Sequence, residues 1–400
     1  MREIATPSAR RASAVIVAFL AVELVDELLD GVLSAAWPAI RTDLALTYGQ
    51  IGLLLGISRV AGNVVELPLG ILADIGWRRA LILGGGVAFC LALSVVGSAP
   101  GFGPLAFALA VLGPASGAFV SLSQTALMDL EPSRREQNMA RWALAGWLGN
   151  LAGPALVGAS LAAGWGWRPA FVALAILATG ALVALQLAGQ FRSPGSLLSG
   201  GLAERPGGDR PGFREGLRRT LAASRRGVVR WLLLLELADL MLDVFRSFLA
   251  LYLVEVARAA EAAAGLAVAV LTGAGLAGSA ALVGLLERVR GVVYLRGSAA
   301  LAMLLFPLFL MVPHLEAKLM VVGVLGVLTS GWYPVLMAKL YEALPGQSGA
   351  AATLSTLSGM LGGLLPVALG AASSQLGLAN AMWLLLAGPL AILVGVPRGR

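Results

Sequence analysis

Four carboxylates, Glu23, Asp26, Glu27 and Asp30, stand inside an apolar segment running from about Ser13 to Trp37 that is long enough to cross a bilayer. On a helix they fall on one face, spread over roughly 100°. A charge at the centre of a spanning helix costs about 2.5–3.5 kcal/mol, so four ionised acids facing lipid would cost on the order of 10 kcal/mol. They must therefore face a protein interior or a wet cavity, some of them holding a proton. The pattern returns 213 residues later, where Glu236-Leu-Ala-Asp239-Leu-Met-Leu-Asp243 repeats E-L-x-D-x-x-L-D in register inside another long apolar segment.

With 58% hydrophobic and 13% charged residues, the 400-residue chain is too apolar for a soluble globule. Apolar runs recur from end to end and predict twelve spans: 13–37, 48–73, 80–98, 103–127, 142–164, 169–190, 229–254, 264–286, 292–312, 319–338, 349–373 and 379–396. The expected class is an all-α membrane protein, since no strand-like alternation suggests a barrel. The first span is too long and too charged for a cleaved signal peptide. One cysteine, Cys90, and one histidine, His314, point away from a disulfide framework and from a His/Cys metal cluster. No nucleotide loop, Ser/His/Asp grouping or metal-ligand spacing suggests an enzyme, and no cofactor is expected. The chain is basic, but its basic residues sit in loops between spans, so nucleic acid is not the expected partner.

Their distribution sets the orientation. Both termini and the even-numbered loops hold 23 Lys and Arg, among them nine arginines from Arg192 to Arg230; the odd loops hold four, Arg41, Arg168, Arg258 and Lys318. Arg59 and Arg246 lie within spans. This excess places both termini in the cytoplasm of a cell whose inner or plasma membrane holds the chain. The only long polar segment, 191–228, is rich in Gly, Pro, Ser and Arg and suits a flexible cytoplasmic tether, although Arg214 to Arg230 could also form a basic helix on anionic headgroups. It divides the chain into an N-terminal bundle of six spans, 1–190, and a C-terminal bundle, 229–400.

Further matches join the acid repeat. Ser116-Gly117 pairs with Ser330-Gly331, Pro154 and Gly158 pair with Pro366 and Gly370, and Gly70-Ile-Leu72 pairs with Gly284-Leu-Leu286, all at offsets of 212 to 214. Halves with an even number of spans insert with the same orientation and are related by an axis along the membrane normal, with the site expected at their interface near the bilayer midplane.

After the second span comes Gly70-Ile-Leu-Ala-Asp74-Ile-Gly76-Trp-Arg78-Arg79. It resembles the G-x-L-A-D-R-x-G-R-K signature of the major facilitator superfamily, with Ile75 in place of a basic residue and the second glycine one place early. The resemblance covers nearly the whole chain and implies that superfamily's two six-helix bundles, alternating access, a monomer, and a cytoplasmic charge relay at Gly70, Asp74, Arg78 and Arg79. In the fifth span, Gly149-Asn-Leu-Ala-Gly153-Pro154-Ala-Leu-Val-Gly158 resembles the G-x-x-x-G-P-x-x-G-G motif of the superfamily's exporters, Val157 replacing one glycine. Plain helix packing with a proline kink explains the same residues.

The superfamily's first and seventh spans line its central cavity, which implies that Glu23, Asp26, Glu27, Asp30, Glu236, Asp239, Asp243 and Arg246 converge there as the substrate and proton site. Crowded carboxylates can hold protons near neutral pH and also attract a cation. Competition between proton and cationic solute would then couple their fluxes in opposite directions, which is proton antiport with efflux. Arg246 can pair with Asp243 three residues before it and, by the two-fold, reach toward Asp30. In the second span Arg59, Asn63 and Glu66 share a face and form a polar seam, Arg59 and Glu66 being about 10.5 Å apart in rise. Glu23 and Glu236, nearer the cytoplasmic ends, could merely snorkel. Trp142, Trp147, Trp332 and Tyr333 are candidates for cation–π contact or plain packing. Two other readings remain open: a transporter of a hard divalent metal bound by oxygen alone, and a non-transporting sensor or lipid-handling protein on the same scaffold.

Overall fold

The computed structural model describes residues 7–130, 134–190, 226–344 and 348–397, and within them every secondary-structure element is helical. Twelve helical segments follow one another: α1 (Pro7–Leu44), α2 (Tyr48–Leu72), α3 (Arg78–Ser98), α4 (Phe102–Leu130), α5 (Arg135–Ala162), α6 (Arg168–Gln190), α7 (226–255), α8 (Glu261–Leu286), α9 (Gly291–Met311), α10 (Leu315–Ala343), α11 (348–376) and α12 (Leu378–Gly395). Helices are what the bilayer demands, because each satisfies its backbone polar groups within its own segment. Among the described residues nine are long and apolar enough to cross a membrane. The other three, α1, α2 and α7, carry the charges that the sequence places inside spans. The tether at 191–225, the basic segment from Arg214 to Arg225, and the terminal Arg2, Arg398 and Arg400 lie outside the described residues.

Local irregularities fall where chemistry is expected. Three segments widen into a π turn: Ala73–Trp77 between α2 and α3, Gly117–Ser121 within α4, and Leu240–Val244 within α7. A π turn inserts an extra residue per turn and re-aims the side chains that follow it. The one in α7 starts directly after Asp239 and contains Asp243. In the first, Gly76 has φ 105°, a left-handed conformation open to glycine, which accounts for a glycine one place earlier than the signature has it. The second starts directly after Ser116, and its repeat partner breaks α10 at Ser330-Gly331. There the Tyr294 hydroxyl donates to the Leu328 carbonyl at 2.8 Å and accepts from the Gly331 amide at 3.1 Å, satisfying groups the break exposes.

Two compact units emerge: Met1–Leu33 with Ala61–Pro206, and Ser34–Val60 with Gly207–Arg400. In the first, α1 and α5 approach until backbones touch. A Cβ on Gly153 would lie 2.5 Å from the Val32 amide nitrogen and 2.6 Å from Gly31 Cα, and one on Gly149 would meet the Leu24 carbonyl and the Leu28 nitrogen. Gly158, the last residue of that motif, faces open space.

In the second unit, α2 and α11 use the same device, Gly52 lying against Pro366 and Gly370, and Gly56 against Gly363. The core here is aromatic: Phe245, Phe306 and Phe309 are fully buried, Phe245 meeting the other two rings edge-on at 5.3 and 5.5 Å. Lys318, expected in a loop, is instead buried in the first turns of α10. Its Nζ donates to the Phe309 carbonyl at 2.5 Å and sits 5.1 Å from the Tyr252 ring centre. The carbonyls left over at the end of α9 hold the ammonium in place of water.

Substituting Gly153→Leu should force α1 and α5 apart and cost about 1–3 kcal/mol of stability. Gly158→Ala should be neutral to within about 0.5 kcal/mol. Thermal unfolding of the two variants in detergent checks the contrast.

Candidate functional site

In the first unit the α1 acids find neutral partners. Glu23 is buried, with the Trp142 indole beside its carboxyl and Gly146 leaving room for Oε1. Asp26 accepts a hydrogen bond from the Ser116 hydroxyl at 2.9 Å, and Glu27 accepts one from Asn150 Nδ2 at 2.6 Å. Asp30 is half-buried one turn on. Burial of Glu23 speaks against the alternative that it only snorkels toward the interface. The glycines of α5 account for this: with Gly146 and Gly149 the helices close to a distance at which a tryptophan and an asparagine of α5 can serve acids on α1.

In the second unit the partners are charged. Arg59 Nη1 donates to Asp239 Oδ2 at 2.5 Å and lies 3.7 Å from Asp243 Oδ2, while Arg246 Nη2 bonds the other Asp243 oxygen at 3.1 Å. Two carboxylates and two guanidiniums thus form a chain in which Asp239 is buried and Asp243 is half exposed. Glu236 adds a third acid, packed over Gly362 with the Ser358 hydroxyl near its carboxyl. A Cβ on Gly362 would overlap the Glu236 carboxylate outright. The pairing of Arg246 with Asp243 is as expected from their spacing. The second-span seam is different: Arg59 turns to Asp239, and Glu66 is solvent- or lipid-exposed. A carboxylate in contact outweighs one a full two turns along the same helix.

The residues after the second span are only partly described. Arg78 Nη1 pairs with Asp129 at the end of α4 at 2.8 Å, Arg79 is exposed, and of Gly70 and Asp74 the backbone alone is described, Asp74 within the π turn. Of the aromatic candidates, Trp332 is a core residue whose indole bonds Ser298 at 2.9 Å, Trp147 is half-buried and Tyr333 is exposed.

Sequence reasoning passed over several partners. Asn150 stands inside the glycine motif, Ser116 inside the repeat, and Asp129 five residues before Arg134 in sequence, yet nothing in their spacing to α1 or α3 identifies whom they serve. It also passed over a cluster in the second unit where Arg41 pairs with Glu255 at 2.9 Å and stacks 4.3 Å from the Tyr48 ring centre. The Tyr48 hydroxyl donates to the same carboxylate. The signal was there in outline, since an odd-loop arginine opposite an acid at the end of the seventh span is an unusual pair among so few charges.

Replacing Asn150 by Asp would set a second carboxylate against Glu27. Two acids so close share one proton and cannot both ionise cheaply. Asn150→Asp should melt several degrees below Asn150→Ala at pH 8, and the gap should close at pH 5; melting curves at both pH values decide.

The sequence profile of the Major Facilitator Superfamily matches residues 19–367. No curated protein sequence matches the chain. Among solved structures, it is similar to a bacterial homolog of the human lysosomal transporter Spinster in an inward-facing, unoccupied conformation, with 17% identity, a TM-score of 0.73, and coverage of 98% of this chain and 95% of that one. A mutant of the nucleoside transporter NupG gives 11% identity and a TM-score of 0.77, over 95% and 98% of the two chains. A POT family transporter in complex with 5-aminolevulinic acid gives 12% and 0.75, over 95% and 94%. At these identities the likeness is one of fold.

Proposed function

The chain belongs to the Major Facilitator Superfamily, whose members are secondary transporters, and from that premise we propose that it is a proton-coupled antiporter exporting a small organic cation or cationic amphiphile. The observation that carries the reading is the contact between Arg59 and Asp239. A buried carboxylate that accepts a guanidinium from another helix has the charge and shape to accept an organic cation, and a proton competes with either for the same oxygens. The α1 acids supply a second group of proton carriers, held by hydroxyl, amide and indole donors. Functional weight falls on Asp30 and Asp243, which lie deeper in their spans than Glu23 and Glu236.

Direction and orientation follow from sequence. Export rests on the fifth-span resemblance, and the excess of arginine in the termini and even loops supports a multi-pass protein of the inner or plasma membrane with both termini in the cytoplasm. A hard divalent ion needs several converging oxygen ligands. Among the described residues no group of three His, Cys, Asp or Glu is placed to hold one, and Asp239 and Asp243 already serve guanidiniums, so the organic cation is the reading carried forward.

Reconstituted vesicles with an imposed pH gradient test it. Flux of organic cations, screened against divalent metals and neutral solutes, should depend on the gradient, and Asp30→Asn or Asp243→Asn should fold normally while losing gradient-driven flux by at least about tenfold, roughly 1.4 kcal/mol of coupling. A rate indifferent to pH, or full transport by both variants, would overturn the proposal.

A further inference from the structure

Asp26 and Asp239 occupy equivalent places in the repeat, 213 residues apart, yet they bind differently. Asp26 takes the hydroxyl of Ser116. The equivalent Ser330 turns its hydroxyl back to the Val327 carbonyl at 2.8 Å, and Asp239 takes Arg59 instead. Arg59 is delivered by a stretch, residues 34–60, that belongs to the second unit although the rest of α2, from Ala61 on, belongs to the first. That stretch is fastened at several points: the Gly49 amide donates to Ser374 at 2.9 Å, Gly52 and Gly56 lie against α11, and Arg41 and Tyr48 grip Glu255. It is a strap whose inner end is an arginine plugged into an acid cluster.

The groups that face Arg59 are Asp239, Asp243 and Glu236 from α7 and the Tyr333 phenol from α10, with Arg246 behind Asp243. On α11 no residue from 348 to 376 titrates. Glycine-to-backbone contacts hold a helix close but carry no charge, so the ionic contacts are what a change in protonation can act on. Of these, the Arg59 end lies in the cluster that the proposed transport uses, whereas Glu255 lies at the far end of α7.

We propose that Arg59 is a tethered cation that fills the α7 acid cluster when no transported cation or proton does, and that protonation of the cluster unplugs it and loosens residues 34–60 from α7 and α11. This deepens the antiport reading and rests on it for its purpose: the strap would report to the fold which of the competing cations is bound. A guanidinium keeps its charge at any accessible pH, so only the acids can release it.

Hydrogen exchange of the full chain in lipid nanodiscs, corrected for intrinsic rates, tests the idea without any substrate. Peptides covering residues 48–60 should be protected at pH 8 and lose at least about tenfold of that protection at pH 5.5. Asp239→Asn and Arg59→Gln should be unprotected at both pH values, and Arg59→Lys should recover part of the pH response, while peptides from α9 stay protected throughout and report that the fold is intact. Wild-type protection and pH response in Arg59→Gln would overturn the proposal. Because no cation flux is read, a pH-sensitive strap in a protein that moves no organic cation would sink the antiport reading alone. A pH-insensitive strap in a working antiporter would sink this one alone.

Discussion

An ionisable group inside a bilayer must be given a partner, and the rest of this architecture answers to that requirement. Lipid offers no hydrogen bonds and water is scarce, so each acid within a span needs a donor brought by a neighbouring helix. Ser116 on α4, Asn150 and Trp142 on α5, Arg59 on α2 and Arg246 on α7 itself supply them. Polar side chains are otherwise sparse in the spans, so their positions mark where helices must meet. Burial of apolar surface cannot by itself select those meetings, because lipid tails are as apolar as the helices.

Glycine makes the meetings possible. Glu23 lies against Gly146 and Glu236 against Gly362, each in the place a Cβ would take, and Glu27 lies beside Gly149, where a Cβ would meet the α1 backbone. The spacing recurs between halves, since Gly359 and Gly362 stand 213 residues after Gly146 and Gly149. A long acid on one helix and a glycine on the next form a unit: the glycine lets the backbones close, and the closure brings donors such as Asn150 and Ser358 within reach. Gly149 and Gly153 of the fifth-span motif take part in this packing.

Much of this was legible in the sequence for a physical reason. The class of fold and the spans follow from apolar length, which the bilayer fixes within a few residues, and the acids on α1 and α7 announce themselves because charge is so costly there. Arg246 with Asp243 was readable because both sit on one helix, where spacing is geometry. The partner of Arg59 is not readable for the complementary reason: it lies 180 residues away on another helix, where spacing along the chain carries no geometry. Lys318 was misplaced because loop membership was inferred from charge, while aromatic rings and helix-end carbonyls can hold an ammonium inside. The π turns left no pattern, since one extra residue per turn changes where side chains point without changing which residues are present.

The two acid clusters differ in what their partners can do when a proton arrives. A serine hydroxyl both donates and accepts, and an asparagine amide can turn its oxygen toward a protonated carboxyl, so Ser116 and Asn150 can follow Asp26 and Glu27 through either state. A guanidinium has five donors and no acceptor, so Arg59 can still donate to the carbonyl oxygen of a protonated Asp239 but cannot receive its O–H, and the ionic attraction between them is lost. The first cluster can therefore take up or release protons with small local adjustments, while in the second a proton on Asp239 would remove the ionic part of its contact with Arg59. Acids at matching positions of the sequence repeat thus have unlike partners, neutral around Asp26 and charged around Asp239, and it is at the charged one that a proton would change the strength of a contact between helices.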